Sequence, residues 1–276
     1  MATELPTHRL IAFNTATSSE NKIHDDEVAG RLGFGGGLVP GVDVYAYLCH
    51  PAVAHWGTDV LTRGLITTRF GTPTYDGQSI EVRAELSVDH TLRAGVHPAP
   101  TQGQDGPEAA AAILDARLTD EPAAAPTVAT GPKPDLGDRP PASPESLAAG
   151  TVLGTFRQRF DADAHTAYLA DVRDEASPVV DLGVVHPGAI LRLANTVLSE
   201  TVLLGPWIHV GSAIHNHAPI AIGDEVEVRG VVTANSERKG HRFVDLDVVV
   251  LGPDGDVRTW IEHTAIYEPR QLRSDV

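Results

Sequence analysis

The sequence has one cysteine, few aromatic residues and far fewer basic than acidic residues. Cys49 alone cannot form an intramolecular disulfide or a zinc site built from several cysteines. The formal net charge of -16 argues against a nucleic-acid-binding surface, which needs a concentrated basic face. The chain also lacks the run of about 18 apolar residues that a membrane span needs, and its first residues lack the pattern of a secretory signal. We therefore expect a cytoplasmic protein.

What the sequence does contain is enough apolar material for one large domain or two smaller ones. Hydrophobic residues make up 42% of the 276 residues, and charged residues make up 21%. A segment rich in proline and alanine interrupts this composition, and proline removes backbone donors that helices and sheets need. We expect an N-terminal unit over residues 1–118, a linker over residues 119–150 and a C-terminal unit over residues 151–276.

Two segments of the first unit recur in the second at nearly constant spacing. Residues 36–44 (GGLVPGVDV) match residues 183–191 (GVVHPGAIL), and both copies contain a central Pro-Gly pair. Residues 72–83 (TPTYDGQSIEVR) match residues 218–229 (APIAIGDEVEVR). The offset is 147 for the first match and 146 for the second. We interpret the two units as copies of one internal repeat.

Each copy has the pattern of one buried helix followed by strands. Residues 42–56 and 189–204 are too long and too continuously apolar for a strand, which favours a buried helix. Alternating segments rich in valine, isoleucine and threonine follow each helix and are typical of strands. The predicted strands cover residues 65–70, 79–88, 109–118, 207–215, 225–234, 243–251 and 258–267. We predict an α+β fold in which an antiparallel sheet wraps around a helix twice, with aliphatic cores because aromatic residues make up only 5%.

Residues 21–41 (NKIHDDEVAGRLGFGGGLVPG) resemble the motif of the MaoC-like, (R)-specific enoyl-CoA hydratases. The resemblance implies a double hot-dog fold. We expect the sheets of the two units to be continuous across a pseudo-twofold axis, because each unit leaves a sheet edge that needs cover. It aligns Asn21 with the motif asparagine, His24 with the catalytic histidine and Gly41 with the glycine whose amide contacts the thioester carbonyl. The chain departs from the family at two important positions. Ser19 stands where the family has its catalytic aspartate, and Pro40 replaces the histidine that precedes the glycine.

The departures bear on which reaction is expected. Hydration of an enoyl thioester needs a base for water and an acid for the α carbon, and a serine cannot replace the carboxylate. Hydrolysis of a thioester needs one base and donors directed at the carbonyl oxygen. His24 assisted by Asp25 could activate water, while the Gly41 amide at a helix start would hold the oxygen. We therefore favour an acyl-CoA thioesterase over a hydratase, and a non-catalytic acyl-binding protein is the alternative from another class.

Two of the aligned residues also have purely structural interpretations. Gly41 would allow close packing of its helix, whatever the reaction. Asp26 falls on a later aspartate of the motif, but an acid in the first turn of a helix is favourable regardless of function. The second unit retains no Asn-x-x-His sequence. We expect the first unit to carry the chemistry and the second to shape the acyl pocket between them.

Substrate-binding residues are predicted at the Pro-Gly turn, on the second central helix and in basic positions. The turn at residues 238–242 is the most basic part of the chain and could hold the phosphates of coenzyme A, although charged turns are more often simply solvated. Arg69 is the repeat equivalent of His215. The predicted set is Pro40, Arg69, Asn195, Arg238, Lys239 and Arg242.

No metal site is expected. His209, His215 and His217 share parity on one predicted strand, but further ligands at a convincing spacing are missing. The expected cofactor list is empty apart from coenzyme A as part of the substrate. The expected partner is an acyl-CoA or acyl-carrier-protein thioester, with no nucleic acid and no membrane, and the outer sheet faces offer a surface for a homodimer.

Overall fold

The computed structural model describes residues 2–100 and 109–273. The strands are β1 (Thr3–Glu4), β2 (His8–Ile11), β3 (Gly64–Phe70), β4 (Ser79–Leu86), β5 (Leu92–Pro98), β6 (Ala112–Leu118), β7 (Phe156–Arg159), β8 (Ile208–Asn216), β9 (Glu225–Arg238), β10 (His241–Leu251) and β11 (Val257–Glu268). The α-helices are α1 (Asp26–Arg31), α2 (Gly41–Trp56), α3 (Asp59–Arg63), α4 (Ala162–Asp171), α5 (Pro178–Leu182) and α6 (Pro187–Ser199). Short 3-10 helices lie at Lys22–His24, Leu136–Asp138 and Arg270–Leu272.

All the strands belong to one antiparallel sheet that runs through both repeats. Its order is β1-β4-β5-β6-β3-β8-β11-β10-β9-β7, and β2 also pairs with β4. The strands β3, β4, β5 and β6 of the first repeat therefore have the same order as β8, β9, β10 and β11 of the second. This arrangement confirms the predicted antiparallel sheet in two copies.

The two copies join through their equivalent strands. β3 pairs antiparallel with β8, with Leu65 opposite His215 and Arg69 opposite Gly211. Equivalent strands that pair antiparallel are related by a local twofold axis, and this pairing covers an edge that each copy would otherwise expose. The prediction of a continuous sheet across a pseudo-twofold axis is confirmed.

The sheet wraps around the two apolar helices that the sequence predicted. In α2, every residue from Val42 to Cys49 is buried, and Tyr45 and Tyr47 are the largest of the fully buried side chains. The rest of the core consists mainly of valine, leucine, isoleucine and alanine, as expected. The second helix, α6, ends at Ser199, five residues before the predicted end at residue 204. Beyond it the helical bonding pattern is lost, since the Thr201 amide donates to the Leu198 carbonyl and the Leu203 amide donates to the Pro140 carbonyl, outside the helix.

The strand β5, which lies between β4 and β6, was not predicted from the sequence. Its buried residues are Leu92, Ala94, Gly95 and Val96, a short run of small side chains that carries a weak strand signal. The predicted bounds of its neighbours were also slightly long, since β4 ends at Leu86 and β6 begins at Ala112.

No helix in the described part of the chain is both long and apolar enough to cross a membrane.

Residues 119–150 contain no strand of the sheet, and they pack against the second repeat. Val128 and Leu147 are buried. Arg229 donates from Nη1 to the Val128 carbonyl at 3.2 Å, and Asn235 donates from Nδ2 to the Leu147 carbonyl at 3.0 Å. The domain division at residues 118 and 150 stays a prediction, but this segment has a defined place on the fold.

Candidate functional site

An apolar cavity of about 300 Å³ lies beside the first turn of α2, between the two repeats. Both repeats contribute to its walls, because β3 and β8 bring Phe70 and Ile208 to the same side of the sheet. The apolar lining residues include Ile23, Leu38, Val39, Val44, Phe70, Trp207, Ile208, Val210 and Ile266. Such a space suits an apolar group with a few polar contacts at one end.

A second cavity of about 400 Å³ opens on the other side of the same residues and is more polar. It is lined by hydroxyl and charged groups, among them Thr15, Ser19, Arg139 and Arg192. The residues that line both cavities are Asn21, His24, Pro40, Asn195 and Trp207. The apolar and polar cavities therefore meet where the sequence predicted the chemistry.

His24 lies at this junction, and a hydrogen bond determines which of its ring nitrogens carries the proton. Its Nδ1 lies 2.7 Å from the Leu38 carbonyl oxygen, which can only accept, so Nδ1 carries the proton and Nε2 keeps its lone pair. Nε2 lies 3.3 Å from the Asn21 amide nitrogen. Burial lowers the pKa of His24, and the Leu38 carbonyl and the charge of Asp43 oppose that effect. The imidazole is therefore a neutral base at neutral pH.

Asn21 fixes the loop that carries His24. Its Oδ1 accepts from the Ile23 amide at 3.3 Å and from the Trp207 amide at 3.1 Å. Its Nδ2 also donates to the Trp207 carbonyl at 3.0 Å. Because Trp207 belongs to the second repeat, Asn21 links the two repeats at the cavity as well as orienting the histidine.

Gly41 is the first residue of α2, and its amide has no hydrogen-bond partner within the described residues. The amide faces the region where a helix dipole favours negative charge. A Cβ at Gly41 would lie 3.1 Å from His209 Nδ1 and 3.4 Å from Phe70 Cε2, so only a glycine leaves this space open. The position of Gly41 therefore combines a close approach to His209 with an amide that is available to a ligand.

The equivalent turn of the second repeat is closed. The Gly188 amide donates to His186 Nδ1 at 3.1 Å, and a Cβ at Gly188 would collide with the Tyr168 hydroxyl. The second ring nitrogen of His186 lies 3.1 Å from Asp174 Oδ2, inside the core. Only the first of the two Pro-Gly turns has an unpartnered amide at a cavity, within the described residues.

Asp25, the predicted partner of His24, does not reach it. Its Oδ1 accepts from the Val28 amide at 3.0 Å, which caps α1, and the residue is exposed and lines neither cavity. The prediction failed because a residue next to His24 in sequence turns outward at the start of a helix. Asp26 is structural in the same way, since its Oδ1 accepts from the Gly37 amide at 2.7 Å.

Ser19, at the family's aspartate position, bonds to the loop instead. Its Oγ accepts from the Asn21 amide at 3.0 Å. Glu20 is the only carboxylate on the lining of either cavity, among the described residues, and it is exposed and paired with Arg139. Among the described residues, the ring of His24 contacts Asn21 and Leu38 and has no hydrogen bond to a carboxylate.

The predicted substrate-binding residues divide into two groups. Pro40 and Asn195 line both cavities, and Asn195 Oδ1 is buried without a partner among the described residues. The four predicted basic residues line neither cavity. Arg69 is exposed on the face of β3 opposite to Phe70, because side chains alternate along a strand.

The basic turn between β9 and β10 also lines neither cavity. Arg238 pairs with Asp245 at 3.6 Å, Arg242 pairs with Glu268 at 3.0 Å, and Lys239 is an exposed turn residue. The basic side chains nearest the site are Arg139 and Arg192, which the sequence analysis missed because they are isolated in the chain.

His209 and His215 lie on β8 and do not share a face, contrary to their spacing, and His217 follows the end of the strand. The strand has an irregular register at Val210, where Gly211 pairs with Thr264 and His209 pairs with Ala265. One extra residue at such a bulge reverses the alternation. His209 and Ser212 therefore both point into the core, whereas His215 stacks on Trp260 and lies 2.9 Å from Glu262.

A separate cluster of His8, His50 and Asp174 has ligand atoms within 4.8 Å of one another. The rings of His8 and His50 are stacked at 3.9 Å with an angle of 12° between them, and His50 Nδ1 lies 2.7 Å from Asp174 Oδ1. Lone pairs of parallel stacked rings lie in parallel planes and do not converge on one ion. The cluster is a hydrogen-bonded His50–Asp174 pair with the partly buried His8 ring stacked on His50.

Solved structures with similar coordinates span nearly the whole chain. A MaoC-like dehydratase has 14% identity and a TM-score of 0.59, and the match covers 97% of this chain and 98% of that one. A conserved hypothetical protein from Mycobacterium tuberculosis, described as having a double hotdog fold, has 12% identity, a TM-score of 0.61 and coverage of 96% and 95%. The chain has the double hot-dog fold. A MaoC domain protein from Chloroflexus aurantiacus J-10-fl shares it, with 12% identity, a TM-score of 0.61 and coverage of 98% and 95%.

These double hot-dog structures resemble the chain in fold, at identities too low to carry over an activity. No family model matches the sequence. No curated protein sequence matches it either. The function must therefore be argued from the site itself.

Proposed function

We propose that the protein hydrolyses acyl thioesters of coenzyme A or an acyl-carrier protein. The observation that carries this proposal is that the unpartnered Gly41 amide and His24 lie together at the apolar cavity, where the polar cavity meets it at His24. A thioester has the same division, with an acyl chain on one side of the carbonyl and a polar pantetheine arm on the other.

In the proposed reaction, His24 Nε2 accepts a proton from a water molecule as the water oxygen attacks the thioester carbon. The carbonyl oxygen gains charge and is stabilised by the Gly41 amide at the start of α2. When the tetrahedral intermediate collapses, the carbon–sulfur bond breaks and the leaving thiolate takes the proton from His24. The products are a carboxylic acid and a free thiol.

The proton on Nδ1 supports the assignment of the base. Because Nδ1 donates to the Leu38 carbonyl, the lone pair is on the nitrogen that faces the cavity junction. The lowered pKa of His24 keeps this lone pair free at neutral pH. Asn21 holds the ring through a long contact of 3.3 Å, which a water molecule can replace.

Hydration of an enoyl thioester is the second candidate. The observation in its favour is that Asn21, His24 and Gly41, the three positions that resemble the hydratase motif, come together at one cavity. Against it stands the absence of a carboxylate beside His24 among the described residues, because hydration needs a second group to protonate the α carbon.

One assay separates these reactions. The purified protein is mixed with saturated and 2-enoyl CoA thioesters of increasing chain length, and thiol release and enoyl absorbance are followed separately. Hydrolysis releases thiol from both series. Hydration removes enoyl absorbance without thiol release, and would replace the proposal. Binding without either change would indicate an acyl-binding protein.

A further inference from the structure

His209, on β8 of the second repeat, has a buried ring nitrogen at the apolar cavity with no recognised role in the proposed reaction. The residue is 6% exposed and lines the cavity together with Gly41. Its Nδ1 has no hydrogen-bond partner among the described residues. A buried polar atom without a partner is destabilising, and it is common where a ligand supplies the missing bond.

The unpartnered nitrogen lies directly against the start of α2. A Cβ built on Gly41 would be 3.1 Å from His209 Nδ1, so the imidazole packs against the residue whose amide is also unpartnered. Phe70, whose ring centre lies 4.8 Å from that of His209, closes the other side. Two potential donors, one from each repeat, thus lie next to each other at the cavity wall.

The Ser212 hydroxyl lies between the His209 and His263 rings and can connect them by hydrogen bonds. Ser212 Oγ lies 2.9 Å from His209 Nε2 and 3.0 Å from His263 Nδ1. If His263 Nδ1 donates to Ser212 and the Ser212 hydroxyl donates to His209 Nε2, the proton of His209 is on Nδ1, toward Gly41. The stacked rings of His209 and His263, 4.2 Å apart, keep this chain in place.

We propose that His209 Nδ1 is a second donor to the substrate carbonyl oxygen, acting together with the Gly41 amide. This inference rests on the proposed thioester chemistry. Hydrolysis and hydration both place negative charge on that oxygen, so the role holds for either reaction. Donation from two groups held rigidly by different repeats would stabilise the charge without reorganisation of the site.

A neutral imidazole suits this role. Burial lowers the pKa of His209 well below its usual value, and the adjacent His263 lowers it further, whereas the Gly211 carbonyl opposes the shift. Burial alone lowers the pKa of His263 to about 3. Both rings are therefore uncharged at neutral pH, and His209 donates a hydrogen bond without releasing its proton. Neutral imidazoles polarise carbonyl groups in this manner in other enzymes.

The test uses a substrate analogue in which CH₂ replaces the thioester sulfur, so that the carbonyl is kept and hydrolysis is impossible. Butyryl carba(dethia)-CoA labelled with ¹³C at the ketone carbonyl is compared with S-butyl-CoA, which has no carbonyl group at that position. Binding is measured by calorimetry, and the carbonyl shift by NMR, for the wild type, His209→Leu and His209→Asn. Asparagine places an amide donor near the position of Nδ1.

His209→Leu should weaken binding of the ketone by about tenfold, move its carbonyl signal upfield and leave S-butyl-CoA binding unchanged. His209→Asn should restore much of both effects. Ser212→Ala keeps His209 but removes the hydroxyl that donates to Nε2 in the proposed arrangement, and it should give an intermediate loss. A role limited to packing would change the affinity for both ligands equally and would not move the carbonyl signal.

Wild-type affinity and carbonyl shift in His209→Leu and in Ser212→Ala would overturn the inference. The inference would also be overturned if every variant that folds bound the ketone and S-butyl-CoA with equally reduced affinity. If the wild type binds the ketone through His209 but hydrolyses no thioester, this inference stands and the proposed hydrolysis fails. If the wild type binds neither ligand, both fail.

Discussion

The guanidinium of Arg192 on α6 holds the carboxylate of Asp43 on α2, with Nε and Nη2 at 2.9 and 2.7 Å from Oδ1. The other carboxylate oxygen accepts from the Thr15 hydroxyl at 2.6 Å, and Arg192 stacks on the Tyr168 ring at 4.4 Å. This pair connects the two central helices beside the polar cavity. The two repeats are therefore fixed to each other at the site as well as through the sheet.

The first prediction concerns this ion pair. Arg192→Met should lower the free energy of unfolding by about 3–5 kcal/mol, because the fully buried Asp43 would keep a charge without its partner. Asp43→Asn should cost less, since a third of the Arg192 side chain is exposed and can be hydrated. Urea unfolding of both variants measures the difference. Equal costs would contradict this account of the pair.

Asp25 should matter for stability and not for turnover. Asp25→Ala removes the cap of α1 and should lower the free energy of unfolding by about 0.5–2 kcal/mol. Asp25→Asn retains a capping oxygen and should remain near the wild type. Both variants should keep the wild-type kcat, measured on the best acyl thioester. A loss of kcat in both would return Asp25 to the catalytic site.

Gly41→Ala should lower kcat/KM by roughly tenfold to a hundredfold. The new methyl group would lie 3.1 Å from His209 Nδ1 and 3.4 Å from the Phe70 ring, so the cavity wall must shift at the reacting carbonyl. Gly30→Ala is the matched control, because a Cβ at Gly30 meets no atom within 4 Å. It should leave kcat/KM unchanged. Identical kinetics for the two variants would argue against a carbonyl at Gly41.

Acid should destabilise the fold below pH 6.5. Burial lowers the pKa of His165 to about 4 and that of His263 to about 3, from the usual value of 6.5. Between pH 6.5 and the lowered pKa of each histidine, the unfolded chain binds a proton at that residue and the folded chain does not. Each histidine should therefore reduce the free energy of unfolding by up to about 1.4 kcal/mol for each pH unit of acidification.

Denaturant unfolding at pH 7 and at pH 4.5 measures this effect. His165→Gln is the control, since its amide oxygen can still accept the bond that His186 N donates to His165 Nε2 at 2.9 Å. The variant should lose less stability on acidification than the wild type. A wild-type free energy of unfolding that stays constant between the two pH values would contradict the buried neutral state.

The fold was predictable because its signals are local or repeated. Val42–Cys49 is apolar except for Asp43, and the strands β9, β10 and β11 alternate clearly between buried and more exposed residues. The repeat supplied the architecture, and the continuous sheet followed from the need to cover strand edges. The strand β5 was not predicted because its mostly small residues give a weak strand pattern.

The site was predictable only where its residues are close in the chain. Asn21, His24 and Gly41 belong to one continuous motif, and the structure places them on one cavity. The outward turn of Asp25 depends on where a helix begins, which the sequence did not reveal. The role of His209 depends on a bulge in β8, and a one-residue shift in a strand reverses the face of each side chain that follows.

The most direct test of the central claim is the turnover of the best acyl thioester by His24→Ala, with folding checked by thermal unfolding. If His24 Nε2 activates the attacking water, kcat should fall by roughly a hundredfold or more, the usual scale for a positioned acid–base group. The Asp25→Asn protein, altered at the next residue but still capped, should keep its rate in the same assay. Wild-type thiol release by a folded His24→Ala protein would contradict the account.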